Sequence, residues 1–130
     1  MKYRLTIFCI VASLLFGANE AQAADGKNHY LILGPGSNSC SAVISDLAEG
    51  AKRDSDAAQI IYSMWLAGSL TGYNRDAKAT YSILGDLTFQ EAFVWTLNYC
   101  KENPKNIYSA AVDAFIHEYR EDRDTSMPED

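Results

Sequence analysis

Side chains able to do chemistry are few in this chain, and their spacing limits what they can do. Three cysteines occur, Cys9, Cys40 and Cys100. Cys40 and Cys100 bracket 61 residues, both ends counted. In an oxidising compartment two such thiols most simply form one disulfide. Two free thiols or a metal pair is the alternative, but neither Cys has a His, Asp or Glu at metal-ligand spacing. A bridge closing 61 residues stabilises by about 4 kcal/mol in the chain-entropy model. That is a large share of the ~5–15 kcal/mol typical of a whole domain.

The remaining candidates are weaker. Gly34-Pro35-Gly36-Ser37-Asn38-Ser39 has the glycines of a phosphate loop but lacks the Lys-Ser/Thr pair that neutralises and positions phosphate. It reads as a turn followed by helix caps. His117-Glu118 begins like a zincin helix, but Glu121 stands where the second His is needed. His117 therefore reads as a helix-surface residue. His29 lies in a polar leader, and Asp86 is a turn residue before a helix. No Ser or Cys has a partnered His, so triad chemistry has no support. The chain is expected to be no enzyme, with no catalytic residue, no cofactor and no metal.

The N-terminus sets the compartment. Lys2 and Arg4 precede an apolar run over residues 5–17, and Ala21-Gln22-Ala23 forms an A-x-A cleavage site. Residues 1–23 read as a secretory signal peptide. The run has 13 residues, short of the ~20 that span a bilayer, so no membrane association is expected after cleavage. Thr6-Ile7-Phe8 before Cys9 lacks the small residue of a lipobox. The expected address is the bacterial periplasm.

The whole chain of 130 residues has 11 Lys and Arg against 17 Asp and Glu, and 48% of it is apolar. That composition is globular. A net charge of −6 argues against nucleic acid as partner, which requires a basic face.

The rest reads as an all-α, single-domain fold of about four helices over residues 24–120, with a possible short extended segment at 29–33. An acidic tail at 121–130 is expected to be disordered. The first helix covers about 40–52, capped from Ser37-Asn38-Ser39. The second runs from about 54 to 73, with Ile60, Ile61, Met64, Trp65, Leu66 and Leu70 as a broad apolar face. Gly68 and Gly72 lie four apart on it, and two helix-interior glycines suggest close backbone approach by another segment. Thr88-Phe89-Gln90-Glu91 has capping-box form and opens a third helix that Asn103-Pro104 ends. Asn106 is placed to cap the fourth. The expected core includes Ile61, Trp65, Phe93, Leu97, Val112 and Phe115. More aromatic rings are present than so small a domain readily hides. Trp65, Tyr73, Phe93, Trp95 and Tyr99 are the candidates for a core or partner-binding aromatic face, with a homodimer one expected use.

Asn98-Tyr99-Cys100-Lys101-Glu102-Asn103-Pro104-Lys105-Asn106-Ile107-Tyr108 resembles the stretch around the second disulfide Cys of HdeA/HdeB-type periplasmic acid-stress proteins, the HdeB branch most closely. The resemblance implies that Cys40 matches the first Cys of that family's single disulfide, and Trp65 its tryptophan-bearing second helix. Residues 64–74 depart from it. Their Trp65-x-x-Gly68-x-x-x-Gly72-Tyr73-Asn74 pattern looks like one found in broad groups of proteobacterial periplasmic proteins. The functional expectation is a periplasmic protein-binding protein, an acid-activated chaperone for unfolded periplasmic proteins. An immunity or inhibitor protein that neutralises one secreted toxin or envelope enzyme is the alternative.

Overall fold

The computed structural model describes residues 27 and 29–129, so the expected signal peptide and its cleavage site lie outside the described residues. The chain divides into two units, 1–31 and 32–130. In the first, Tyr30 and Leu31 are exposed. No strand occurs among the described residues, and the backbone at Leu33 is extended. The second unit is all-α: a 3-10 turn Gly34–Ser37, then α1 (Cys40–Lys52), α2 (Ala57–Asp76), α3 (Phe89–Glu102) and α4 (Tyr108–Tyr119), then a 3-10 turn Arg120–Asp122.

Several helix ends have an identifiable cause. Ser39 caps α1 by accepting the Ala42 N–H at 3.2 Å. The next free amides at that end, of Cys40 and Ser41, donate to the carbonyls of Asn106 and Pro104 in the α3–α4 loop. The helix end is thus satisfied by a distant segment. Gly50 ends α1, its carbonyl accepting from both Arg53 and Ser55. The expected capping box is present at α3: Thr88 accepts from the Glu91 amide, and the Glu91 carboxylate accepts from the Thr88 amide at 2.8 Å. That contact with the backbone amide holds the Glu91 carboxyl below its usual range. The fourth helix differs from expectation. Ile107, not Asn106, is its N-cap residue, with no side-chain cap. Asn106 is spent elsewhere: its side-chain amide donates to the Tyr99 hydroxyl at 2.8 Å.

The core joins Val43 of α1, Tyr62, Leu66 and Leu70 of α2, Phe93 of α3, and Tyr108, Val112 and Phe115 of α4. The Cys40–Cys100 disulfide is fully buried among them and ties α1 to α3, with Cα atoms 4.7 Å apart. Tyr108 has no exposed surface, and its hydroxyl meets that of Thr96 at 3.3 Å. Burial pushes its pKa up to about 12. Ile83, in the α2–α3 linker, is also fully buried, although nothing in its local pattern signals it. The Asn74 side chain pins it by accepting the Ile83 amide at 2.9 Å.

Three expectations need correction. Ile61 is not core but 52% exposed, while Trp65 and Leu97 are half-buried. The helix is turned so that Tyr62, Leu66 and Leu70 face inward. This segment is apolar around its whole circumference, so periodicity gives it no phase. Second, no segment among the described residues approaches Gly68 or Gly72; a Cβ at either would meet nothing within 4 Å. Third, the tail does not fray at residue 121. Ser82 and Asp124 pair antiparallel, the Tyr81 amide donates to the Asp124 carbonyl at 2.8 Å, and Arg123 reaches the Thr80 hydroxyl. Linker backbone held close to the buried Ile83 needs partners for its polar groups, and the tail supplies them. Gly85, at φ +52, leaves room for the Asp122 carbonyl where any Cβ would collide. Residues 125–129 are exposed.

Candidate functional site

The five candidate aromatic residues do not form one face. Phe93 is core, 2% exposed. Trp65 lies half-buried over Gly36, its indole N–H donating to the Leu33 carbonyl at 3.1 Å and its ring 5.7 Å from Tyr108. Tyr73 is half-buried against the core. Trp95 and Tyr99 belong to a separate cluster on α3 and α4. Their rings stack at 6.0 Å, and Trp95 meets Phe115 and Tyr119 edge-on. Trp95 and Tyr119 also line a shallow cavity of about 320 Å³, completed by Leu87, Gln90, Val94 and Asn98 among others. Val94 and Phe89 stand exposed on the same helix.

Sequence reasoning missed the larger apolar exposure, on α2. Ile60, Ile61 and Met64 are 52%, 52% and 68% exposed, and Gly68 and Thr71 continue the same side toward the C-terminus. Residues 57–74 include no Asp, Glu, Lys or Arg. The available signal was that missing charge: a surface helix of a globular protein ordinarily has a charged outer face.

Beside this face, α1 and α2 enclose a cleft of about 520 Å³ lined by Asn38, Asp46, Arg53, Ser55, Ile61 and Tyr62 with neighbouring small residues. The Tyr62 ring is buried, and its hydroxyl donates to the Asp46 carboxylate at 2.6 Å while accepting from the Asn38 side chain at 2.9 Å. Burial raises the phenol's pKa, and the Asp46 carboxylate acts in the same direction. The chain of contacts links the start of α1, its middle and α2 through one hydroxyl. What these contacts do in the fold is hold the two helices together.

His117 is exposed on α4. No cluster of three or more His, Cys, Asp or Glu able to hold a metal occurs among the described residues. None of the described helices is long and apolar enough to cross a membrane.

These features define a small all-α domain of four helices, tied by one buried disulfide and presenting uncharged apolar surface on α2, with Phe89 and Val94 exposed on α3. No family model, curated protein or solved structure matches the chain.

Proposed function

We propose that this is an exported periplasmic protein that binds other proteins through apolar surface, acting as an acid-activated chaperone against aggregation. The observation that carries the reading is the uncharged outer face of α2, with Ile60, Ile61 and Met64 exposed. Patches of this kind on a soluble domain mark protein-contact surfaces. The HdeB-like stretch at 98–108 supports the acid-stress role.

Charge supplies the trigger. Cleavage after Ala23 removes Lys2, Arg4 and Glu20, leaving 9 basic and 16 acidic residues and a net charge of −7. Near pH 2–3 the carboxylates largely protonate while nine Lys and Arg, two His and the amino terminus stay charged, giving about +12. Self-repulsion then loosens the helix packing, and the half-buried rings around Trp95 become available. The buried disulfide keeps the loosened chain compact.

The test is suppression of aggregation of an unrelated protein by the purified mature chain at pH 2–3 and at pH 7, with apolar-dye binding followed across the range. Protection and dye binding that rise only in acid are expected. Unchanged dye binding from pH 7 to pH 2, with no protection, refutes the chaperone reading. One observation favours the alternative of an immunity or inhibitor protein: the α2 face is already exposed in the folded domain, where a standing partner can use it. Tight, pH-insensitive binding to one cognate toxin or enzyme would establish that reading instead.

A further inference from the structure

We infer that the cleft between α1 and α2 is a binding site for a short peptide with free ends, about three small residues long, its ammonium held by Asp46 and Asn38 and its carboxylate by Arg53. The site is separate from the apolar surface assigned to client binding, and it works in the folded protein at neutral pH.

The argument begins with a carboxylate that is fixed in place but only half used. Tyr62, 2% exposed, reaches the cleft with its hydroxyl. That hydroxyl donates to Oδ2 of Asp46 at 2.6 Å and accepts from Nδ2 of Asn38 at 2.9 Å. Both groups are therefore oriented before any ligand arrives, which lowers the cost of binding. Oδ1 of Asp46 and Oδ1 of Asn38 have no partner among the described residues. Two acceptor oxygens, one of them charged, are thus gathered around one buried hydroxyl. They suit an ammonium group, which donates up to three hydrogen bonds and binds most strongly to an ionised acceptor.

The other end of the cleft has the opposite charge. Asp46 and Arg53 are the charged residues of the lining. They stand seven residues apart in sequence and make no ion pair with each other. Arg53 donates through Nε to the Glu49 carbonyl at 3.2 Å, and its two terminal guanidinium nitrogens have no partner among the described residues. A carboxylate is the group that such a planar pair of donors recognises. Ala57 and Ala58, in the first turn of α2, line the same cleft, so the positive pole of that 20-residue helix reinforces Arg53.

Length and lining choose among ligands with two charged ends. Seven residues of helix cover about 10 Å, and an extended chain of three residues spans ~10 Å. A single amino acid is too short to touch both ends. A diamine would place a like charge against Arg53, and a dicarboxylate would place one against Asp46. Between the two ends the wall is Ala57, Ala58 and Ile61, which accepts small apolar side chains and offers nothing to a third charge. The volume of about 520 Å³ falls within the ~300–1,000 Å³ of ordinary ligand pockets.

The experiment is a titration of the oxidised, isotope-labelled protein at neutral pH with trialanine to about 10 mM, followed by amide chemical shifts. N-acetyl-trialanine and trialanine amide, each lacking one charged end, are titrated alongside. The wild type should be half-saturated by trialanine at about 1 mM or below, with shifts centred on Asn38, Arg53 and Ser55. Each blocked peptide should bind at least tenfold more weakly. Arg53→Gln should lose about tenfold toward trialanine yet bind the amide as the wild type does. Asp46→Asn keeps an oxygen for the Tyr62 hydroxyl and should lose about tenfold toward trialanine but nothing toward the acetylated peptide. Lys52→Gln removes the same charge as Arg53→Gln from a residue outside the cleft, and it should bind trialanine as the wild type does. The same spectra show whether each variant keeps its fold. Absence of shifts at 10 mM overturns the inference. So does equal binding of trialanine and either blocked peptide, or a Lys52→Gln loss as large as that of Arg53→Gln.

Discussion

Adding one methyl group at Gly36 tests how the N-terminal turn is locked to α2. Gly36 is buried beneath the Trp65 ring, and a Cβ there would overlap three atoms of the indole. The backbone itself does not object, because Gly36 is not among the residues with positive φ. In Gly36→Ala, either the ring stays and the site is overpacked, or the ring swings outward. Overpacking costs about 1–3 kcal/mol. A swing forfeits the indole hydrogen bond to Leu33, worth about 1 kcal/mol, and the ring contact with Tyr108, worth about 0.5–1.5 kcal/mol. Both routes converge near 2 kcal/mol. Reduced freedom of the unfolded chain returns about 0.4–1 kcal/mol. The net expectation is a loss of about 1–2 kcal/mol, or roughly 4–15 °C in melting temperature for a domain of this size. Urea unfolding followed by far-ultraviolet circular dichroism measures it. A double-mutant cycle with Trp65→Ala isolates the cause: with the indole gone, Gly36→Ala should be neutral or slightly stabilising. An equal loss in both backgrounds refutes the assignment of the effect to Trp65.

Two further outcomes follow from the core. Reducing the Cys40–Cys100 bridge, which ties residues 60 apart in sequence, should lower stability by about 4 kcal/mol, read as the difference between oxidised and reduced urea midpoints; a difference below 1 kcal/mol contradicts it. Tyr108, whose pKa rises from 10.0 to about 12 on burial, contributes stability that is intact below pH 10 and lost as pH climbs toward 12. Absorbance titration should therefore show late-ionising tyrosines, Tyr108 among them with Tyr62, that titrate together with unfolding, and Tyr108→Phe should shrink that step by one tyrosine.

The arrangement of the α2–α3 linker and the C-terminal tail shows how far local reasoning reaches. Residues 121–124 look like a charged, frayed end when read alone. Their order comes from Ser82 and Thr80, some 40 residues earlier, which offer backbone and hydroxyl partners only after Ile83 is buried. Asn106 is similar. Its type suits an N-cap, but the Tyr99 hydroxyl competes for it successfully. Local propensity proposes the partners; three-dimensional neighbours choose among them.

The sequence by itself determined the class of the fold, the α1 and α3 spans, the capping box at Thr88 and Glu91, and the pairing of Cys40 with Cys100. Those features rest on contacts within one helical turn or on a cysteine count, which the order of residues specifies directly. It also placed Phe93, Val112 and Phe115 in the core, because α3 and α4 are amphipathic and their periodicity has a phase. Only the tertiary structure decided which side of α2 faces inward. That helix is apolar all round, so its rotation is set by what packs against it: Tyr108 and Val43 on one side, and the demand of the Tyr62 hydroxyl for Asp46 and Asn38. The same rotation left Ile61, Met64, Gly68 and Gly72 on the outside, where they form the surface through which this protein is proposed to act.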